Sequence, residues 1–201
     1  FYPDGEYDLS GFAVGVVERS EIIDGSDASE GDVLIGVASN GLHSNGFSLV
    51  RKVFFEGAGM AVDTHIEDFG HMLGEELLRP TSIYVKPVLE LLKKGIKIKA
   101  MAHITGGGIL DNLPRVLPPG LGARVDENAW PVQPVFELLA RLGNVPHEEM
   151  RRTFNMGIGY ILVSDTKNTD KILDSLDKSG YDCYIIGNLT KGAEGVRYES
   201  A

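Results

Sequence analysis

The stretch that decides the fold is Met101-Ala-His-Ile-Thr-Gly-Gly-Gly-Ile-Leu-Asp-Asn-Leu-Pro-Arg115, where an apolar strand pattern ends at His103 and three glycines lead into a short helical pattern. Glycine has no Cβ atom, so the N–H groups of Gly106, Gly107 and Gly108 can crowd toward a ligand. The amino terminus of the following helix adds unpaired donors and partial positive charge. The stretch predicts a phosphate-binding loop, although the same glycines also suit a tight turn that binds nothing.

Four flanking side chains favour the phosphate interpretation. Thr105 supplies a hydroxyl, Asn112 an amide, and Arg115 a fork of donors that suits phosphate oxygens. His103 adds a type of side chain that titrates near neutrality. Together they shift the balance toward an anion-binding site.

A second segment of the same kind lies upstream. Residues 33–38 have the pattern of a buried strand, and a polar loop over 39–46 contains His43. A helix with one apolar face follows the loop over 46–57. Two strand–loop–helix units of this kind resemble the edge of an α/β sheet where ligands bind. Taken alone, each histidine could equally be a capping or hydrogen-bonding group.

The apolar pattern predicts alternating strands and helices, which is typical of an α/β layered domain. A polar connector is expected over 19–30. Pro87 cannot lie in the middle of a helix, so a helix is expected to begin there and to end before Gly95. Strands are expected at 11–18, 32–38, 97–104, 121–126, 157–164, 182–188 and 194–199, and the other helices at 46–57, near 70–78, and at 133–142, 148–154 and 167–179.

Composition and charge exclude several classes of protein. The 201 residues are 43% hydrophobic, which is enough for one sizeable domain and a piece of another. A net charge of −10 argues against a nucleic-acid-binding surface. Cys183 is the only cysteine, which excludes an internal disulfide, and no Cys/His cluster has zinc spacing. No apolar run could span a bilayer and no signal peptide is recognisable, so we expect a soluble protein without a membrane partner.

Positive charge is concentrated around the Gly-rich loop. Arg79, Lys86 and Arg115 are the better ligand candidates in this window. The other cations there are expected to be a solvated helix end and strand edge. These are Lys93, Lys94, Lys97 and Lys99.

Five separated motifs give the chain a resemblance to the aminoimidazole ribonucleotide synthetase family, also known as phosphoribosylformylglycinamidine cyclo-ligase. The opening, residues 1–12, is similar to a stretch just before the end of that family's amino-terminal domain, so the resemblance covers the whole chain. Five motifs in register are far more specific than one Gly-rich loop. The motifs are Gly41-Leu-His-Ser-Asn-Gly-Phe-Ser-Leu-Val-Arg51, Arg79-Pro-Thr-Ser-Ile-Tyr-Val-Lys86, Ala102-His-Ile-Thr-Gly-Gly-Gly108, Asn112-Leu-Pro-Arg115 and Phe154-Asn-Met-Gly-Ile-Gly159.

The resemblance implies a layered mixed sheet with helices, the carboxyl-terminal α/β domain of that family's fold, over residues 25–201. Residues 1–24 are then the end of the amino-terminal ATP-binding domain and a linker. The implied activity is ATP-dependent cyclisation of formylglycinamidine ribonucleotide to aminoimidazole ribonucleotide in purine biosynthesis, by a cytoplasmic enzyme that is a homodimer at full length.

ATP and Mg²⁺ are expected mainly on the amino-terminal half of such an enzyme. The family's signature in that half, Asp-x-x-x-x-Gly-Ala-x-Pro, does not occur in this chain. We therefore expect the 201 residues by themselves to be inactive.

By the same resemblance, His43 and His103 are the candidate catalytic residues, as proton-transfer or polarising groups. The expected partner is a small-molecule nucleotide substrate, and no residue is assigned to a metal. Substrate or phosphate binding is assigned to Ser44, Asn45, Arg51, Lys86, Thr105, Gly106, Gly107, Gly108, Asn112, Arg115 and Asn155.

Three other functions compete with this one. A sister ATP-using enzyme, such as thiamine-monophosphate kinase, selenophosphate synthetase or formylglycinamidine ribonucleotide amidotransferase, would share the fold but not the substrate. A non-catalytic nucleotide-binding module is compatible with the missing ATP signature. A dinucleotide-binding dehydrogenase is disfavoured, because the three glycines at 106–108 lack the Gly-x-Gly-x-x-Gly pattern.

Overall fold

A computed structural model of the chain describes residues 3–192 and 194–199. Phe1 and Tyr2 of the opening motif lie outside the described residues, as do Ala193, Ser200 and Ala201 of the predicted carboxyl-terminal domain. The strands are β1 Val33–Ala38, β2 His65–Ile66, β3 His71–Met72, β4 Ala100–His103, β5 Leu121–Asp126, β6 Ile158–Ser164, β7 Cys183–Lys191 and β8 Gly195–Glu199.

Six of these strands form a mixed sheet, and β2 and β3 form a separate hairpin. The order in the sheet is β4-β6-β1-β7-β5-β8, and every neighbouring pair is antiparallel except β5 and β8. The α/β layered fold that the sequence predicts is confirmed.

The helices lie between the strands in sequence. They are α1 Phe47–Arg51, which continues as a π-helical turn over Lys52–Gly57, α2 Leu73–Leu77, α3 Val85–Lys93, α4 Gly108–Asn112, α5 Pro134–Gly143, α6 His147–Thr153 and α7 Thr169–Lys178. Helices α3 and α7 pack on the sheet, whereas α1, α2, α5 and α6 pack around a core of their own.

Helix α5 shows how the sequence sets a helix's ends. It begins at Pro134, because the first N–H of a helix has no intrahelical acceptor and proline lacks that N–H. It ends before Asn144, which adopts the left-handed conformation common after a helix.

Both faces of the sheet are buried at its inner strand β1. In β1, Leu34 packs into one core, while Ile35 and Val37 pack into a second core on the opposite face. Helices α3 and α7 cover the second face, where Leu91 and Ile172 are fully buried. This explains why the β1 sequence is an apolar run rather than an alternation. A third core lies among α1, α2, α5 and α6.

The topology places the two predicted ligand loops together. Strands β1 and β4 both run antiparallel to β6, which lies between them. Their carboxyl ends, Ala38 and His103, therefore lie at the same end of the sheet, beside the start of β6. The loops after β1 and β4 leave the sheet side by side.

Several predicted elements have other bounds in the structure, and two differ in a way that has a physical reason. Residues 11–18 do not form a strand: the segment is exposed and pairs with no strand in the described part of the chain. A strand exists only when a neighbour satisfies its backbone groups. Helix α3 begins at Val85, so Pro87 is its third residue rather than its first. The third N–H of a helix has no intrahelical acceptor, which is why proline is tolerated there.

The prediction that Lys99 is solvated is wrong. Its side chain is only 8% exposed, and its Nζ donates hydrogen bonds to both carboxylate oxygens of Asp32, at 2.7 and 2.9 Å. Asp165 lies 2.9 Å from the same nitrogen. Burial alone lowers the pKa of Lys99, but the bonds to Asp32 and Asp165 outweigh it and hold the pKa above its ordinary value. Lys99 therefore ties the segment before β1 to the ends of β4 and β6.

We expect Lys99→Met to lower the free energy of unfolding by about 3 kcal/mol or more, because it leaves two carboxylates without their buried partner. The matched variant Lys97→Met removes an exposed pair with Asp27 and should cost at most about 1 kcal/mol. Urea unfolding measures both. Equal losses in the two variants would contradict the structural role of Lys99.

Candidate functional site

The loops that follow β1 and β4 are joined by a hydrogen bond. The Gly106 N–H donates to Oδ1 of Asn45 at 3.0 Å. Ser44, next to Asn45, is exposed, and its Oγ lies 3.3 Å from Oγ1 of Thr81. The junction therefore brings Ser44, Asn45 and Gly106, three of the predicted binding residues, to one surface.

A buried amide supports the first of these loops from below. Asn155 has no exposed surface; its Oδ1 accepts from Ser39 Oγ at 2.9 Å and from Gly157 N–H at 2.8 Å. Its Nδ2 donates to the Gly41 carbonyl at 3.0 Å. Because every polar atom of this side chain is satisfied inside the protein, the prediction that Asn155 contacts a ligand is not supported. Asn155 holds the loop that presents Ser44.

His43 is also part of this support. It is 4% exposed and has a positive φ of 55°. Its Nε2 accepts from the Asn40 N–H at 2.9 Å and from the Ser82 N–H at 3.3 Å, so that nitrogen carries no proton. Burial, and to a smaller extent the nearby His103, lowers the pKa of His43 to about 4. His43 is therefore a neutral ring that fixes two loops, while a direct catalytic role for it stays a prediction.

The three glycine N–H groups are already engaged. Besides the Gly106 bond to Asn45, Gly107 N–H donates to the Arg152 carbonyl at 2.8 Å, and Gly108 N–H donates to the Thr105 carbonyl at 3.0 Å. The expectation that all three point at a phosphate is not supported. Phosphate binding at this loop stays a prediction, but it has to rest on other groups.

Two of the glycines are explained by the turn itself. Gly107 has a φ of 98°, and a Cβ there would lie 2.6 Å from the Cβ of Asp111. Gly108 has a φ of 60°, and a Cβ there would overlap the Arg151 carbonyl oxygen. Gly106 is different, because its φ is not positive and a Cβ would meet no atom within 4 Å. Gly106 therefore borders open space.

Asn112 organises the Gly-rich turn. Its Nδ2 lies 2.8 Å from the Gly108 carbonyl oxygen and 3.2 Å from that of Gly106. Its Oδ1 accepts from Thr105 Oγ1 at 3.2 Å and from the Arg115 guanidinium at 3.5 Å. Asn112 is buried, whereas Arg115 is exposed. The amide fixes the turn and helps to place Arg115 near it.

His103 lies at the exposed end of β4, three residues before Gly106, and next to a cluster of rings. Its ring centroid is 6.2 Å from that of Tyr160 and 6.4 Å from that of Tyr84. Tyr84 in turn lies 6.2 Å from His43, and its hydroxyl donates to the Ala38 carbonyl at 2.8 Å. Tyr84 therefore stands between the two predicted catalytic histidines.

The structure does not bring every predicted residue into this cluster. Arg51 on α1 and Lys86 on α3 are exposed, and among the described residues neither forms a hydrogen bond or ion pair with another predicted site residue. The sequence reading missed Tyr84 and Gln133, whose Nε2 donates to the Ser39 carbonyl at 2.8 Å. Tyr84 lies within a quoted motif, but nothing in the local pattern shows that it packs between the histidines.

The residues described here do not fit a Mg²⁺ site. Over residues 3–192 and 194–199, no three His, Cys, Asp or Glu side chains come together as a metal site would require. In the same part of the chain, no helix is long and apolar enough to cross a membrane.

We expect the His43 ring to remain neutral across the physiological range. Because its pKa is lowered from 6.5 to about 4, the stability that it contributes is complete above pH 6.5 and is lost as the pH falls toward 4. An NMR titration of the ring Cε1–H should show no transition between about pH 7.5 and 5.5. A midpoint near the ordinary histidine value would contradict the buried, accepting geometry.

A family model and several curated relatives match most of the chain. Residues 29–199 match the family model described as AIR synthase related protein, C-terminal domain. The phosphoribosylformylglycinamidine cyclo-ligase of Caldanaerobacter subterraneus is 52% identical over 196 residues, which cover 98% of this chain and 58% of the relative. The cyclo-ligase of Bacillus velezensis is 48% identical over 200 residues, which cover 100% and 57%. The chain thus spans a little over half the length of these relatives.

Solved structures share the fold at low sequence identity. Thiamine-monophosphate kinase from Stenotrophomonas maltophilia gives a TM-score of 0.60 at 17% identity, covering 91% of this chain and 54% of that one. Phosphoribosylformylglycinamidine synthase II from Thermotoga maritima gives 0.56 at 16% identity, covering 92% and 26%. From the family match over residues 29–199, the chain belongs to the AIR synthase related protein family and represents its C-terminal domain.

Proposed function

We propose that this chain is the carboxyl-terminal part of a phosphoribosylformylglycinamidine cyclo-ligase and supplies part of its substrate site. The observation that carries the proposal is the hydrogen bond that joins the two loops, from the Gly106 N–H to Asn45 Oδ1 at 3.0 Å, in the loop that begins after His103. Relatives with that name match nearly the whole chain at about half of its positions, which supports the same conclusion.

The proposed reaction closes an imidazole ring with ATP. Phosphoryl transfer activates the formyl oxygen of formylglycinamidine ribonucleotide, a nitrogen of the same molecule attacks the activated carbon, and phosphate leaves. The products are aminoimidazole ribonucleotide, ADP and phosphate. Such chemistry needs the substrate held in one orientation, charge on the phosphate balanced, and a proton moved near neutral pH.

The loop junction supplies the groups that hold the phosphorylated end of the substrate. Gly106 borders open space, Ser44 offers an exposed hydroxyl, and Arg115 offers an exposed guanidinium near the turn. Thr105 and Asn45 complete the rim. Behind them, the positioning residues are Gly107, Gly108, Asn112 and Asn155, whose polar groups are engaged within the protein.

His103 is the proposed proton-transfer residue, because it is exposed at the end of β4 and lies three residues before Gly106 of the junction. His43 acts on the reaction by fixing the loop that carries Ser44, since its Nε2 already accepts two backbone hydrogen bonds. Arg51 and Lys86, which lie outside the cluster, are exposed positive charges that help to attract an anionic substrate to a protein of net charge −10.

ATP and Mg²⁺ are proposed to bind mainly to the portion of the relatives that this chain does not match. That portion also carries the proposed homodimer contact of the cytoplasmic full-length enzyme. Within this chain, residues 1–24 are proposed to end the ATP-binding domain and to link it to a domain over 25–201.

The role of the junction is tested by paired glycine variants. Gly106→Ala adds a methyl group to open space without a positive φ, so it should not lower the melting temperature, yet it should weaken ribose 5-phosphate binding about tenfold or more. Gly107→Ala should destabilise by about 1–3 kcal/mol because of its φ of 98° and the Asp111 contact. Calorimetry measures both, and unchanged affinity in Gly106→Ala would remove the junction from binding.

The role of His103 is tested by turnover in a chimera of this chain with the amino-terminal part of the Caldanaerobacter subterraneus relative. His103→Ala should lower kcat by roughly 10²-fold, the usual scale for a general acid–base group. His147→Ala is the matched control: this exposed residue of α6 lies 3.7 Å from Glu127 and should leave kcat unchanged. Turnover by the 201 residues alone, or equal rates for the His103 variant and its parent, would overturn the proposal.

A further inference from the structure

A cavity of about 230 Å³ lies beside α6, outside the loop junction. Glu127 of the turn after β5 and Trp130 of the segment before α5 form one part of its lining. Arg151 of α6 and Tyr198 of β8 form another part. Among the described residues, none of the junction or of the ring cluster around Tyr84 lines it. The cavity is therefore a separate feature that the proposed function does not use.

Trp130 is a rigid wall of this cavity. It is only 6% exposed, and its indole Nε1–H donates to the Met156 carbonyl at 2.8 Å. Gly157 approaches the ring closely, since a Cβ there would lie 3.2 Å from Cδ1 of Trp130. Both contacts fix the ring in the absence of a ligand, so binding against it costs little side-chain ordering.

Arg151 is fixed from two sides. Its guanidinium carbon lies 4.2 Å from the centroid of the Tyr198 ring, where a cation is attracted to the aromatic face. Its Nη2 donates to the carboxylate of Glu127. The side chains of Arg151 and Glu127 are only 17% and 21% exposed, and partial burial strengthens the attraction between them. Burial also raises the pKa of Tyr198, so its hydroxyl stays uncharged.

The two charges at the cavity cancel. Glu127 supplies acceptors, Arg151 supplies donors, and in the described part of the chain the remaining basic or acidic side chain of the lining is His147, which is 60% exposed. A charged ligand would be repelled by one member of the pair. An uncharged group that carries both a donor and an acceptor can bond to both members. A carboxamide is such a group, because its N–H can donate to Glu127 while its oxygen accepts from Arg151.

The size and the apolar part of the lining define the rest of the ligand. The volume lies below the range of drug-sized pockets, which suits a molecule of about ten non-hydrogen atoms. Trp130 and Met156 offer apolar surface to a flat ring. We infer that the cavity beside α6 binds a small, flat, uncharged carboxamide, with its ring against Trp130 and its amide group between Glu127 and Arg151.

Helix α6 connects this cavity to the Gly-rich turn. The Arg152 carbonyl accepts from the Gly107 N–H at 2.8 Å, and the Arg151 carbonyl lies where a Cβ of Gly108 would be. The side chain of Arg151 lines the cavity, while its main chain packs against the turn. The cavity is thus a site apart from the junction that adjoins the same turn through one helix end.

The test uses Trp130 as a local probe, because it is the only tryptophan of the chain. The indole N–H resonance of the 201-residue chain is followed by NMR during titration with benzamide, benzoate or benzamidine. These probes share a ring and a similar shape but are neutral, negative and positive. Benzamide should shift the resonance and bind about fivefold or more tightly than either charged probe, since each of those meets a like charge.

Glu127→Gln keeps the side-chain shape but leaves the positive charge of Arg151 unbalanced. In this variant benzoate should bind more tightly than benzamide, which reverses the order of the two probes. Glu148→Gln is the matched control, because Glu148 is exposed on the same helix and does not line the cavity. It should keep the preference for benzamide.

Three results would overturn the assignment. They are an indole resonance that none of the probes shifts, equal affinity for all three probes, and an order of probes that Glu127→Gln leaves unchanged. None of these measurements involves the phosphate site at the junction, so the proposed function is tested separately.

Discussion

The hydrogen bond from the Gly106 N–H to the Asn45 side chain is the contact on which the site depends, because it joins two loops that belong to separate strands. Those loops can meet only because β1 and β4 run in the same direction on either side of β6. Asn155 and Asn112 then fix the loops from the buried side. Such fully satisfied buried amides give a polar loop one conformation, which a site for orienting a substrate requires.

The same arrangement divides the polar residues of the junction into two layers. Asn112, Asn155 and His43 lie below the surface with their polar contacts turned inward, whereas Ser44 and His103 reach solvent. Substitutions in the lower layer are therefore expected to act through loop geometry and stability. Substitutions in the upper layer are expected to act on binding or rate. At the far end of β1, the buried Lys99 with its two aspartates anchors the segment that leads into the sheet.

Much of the fold and part of the site could be predicted from the sequence. Apolar periodicity located most strands and helices, and the strand–loop–helix units around His43 and His103 predicted where the loops lie. Periodicity could not show that Lys99 finds two carboxylates, since Asp32 and Asp165 are distant in sequence. Nor could composition show that the glycine N–H groups already have acceptors within the protein. Two of those acceptors, the Arg152 carbonyl and the Asn45 side chain, come from other segments of the chain. The strand expected at 11–18 fails for a related reason, since pairing depends on a neighbour and not on local pattern.

The central claim is that the loop junction is where the phosphate of a nucleotide substrate binds. A crystal structure of the chain with ribose 5-phosphate tests it most directly. The account predicts phosphate density over Gly106, with oxygens within hydrogen-bonding distance of Ser44 Oγ and the Arg115 guanidinium, and with the Asn112 and Asn155 contacts intact. Well-ordered phosphate bound elsewhere on the chain, with the junction unchanged and vacant, would contradict it.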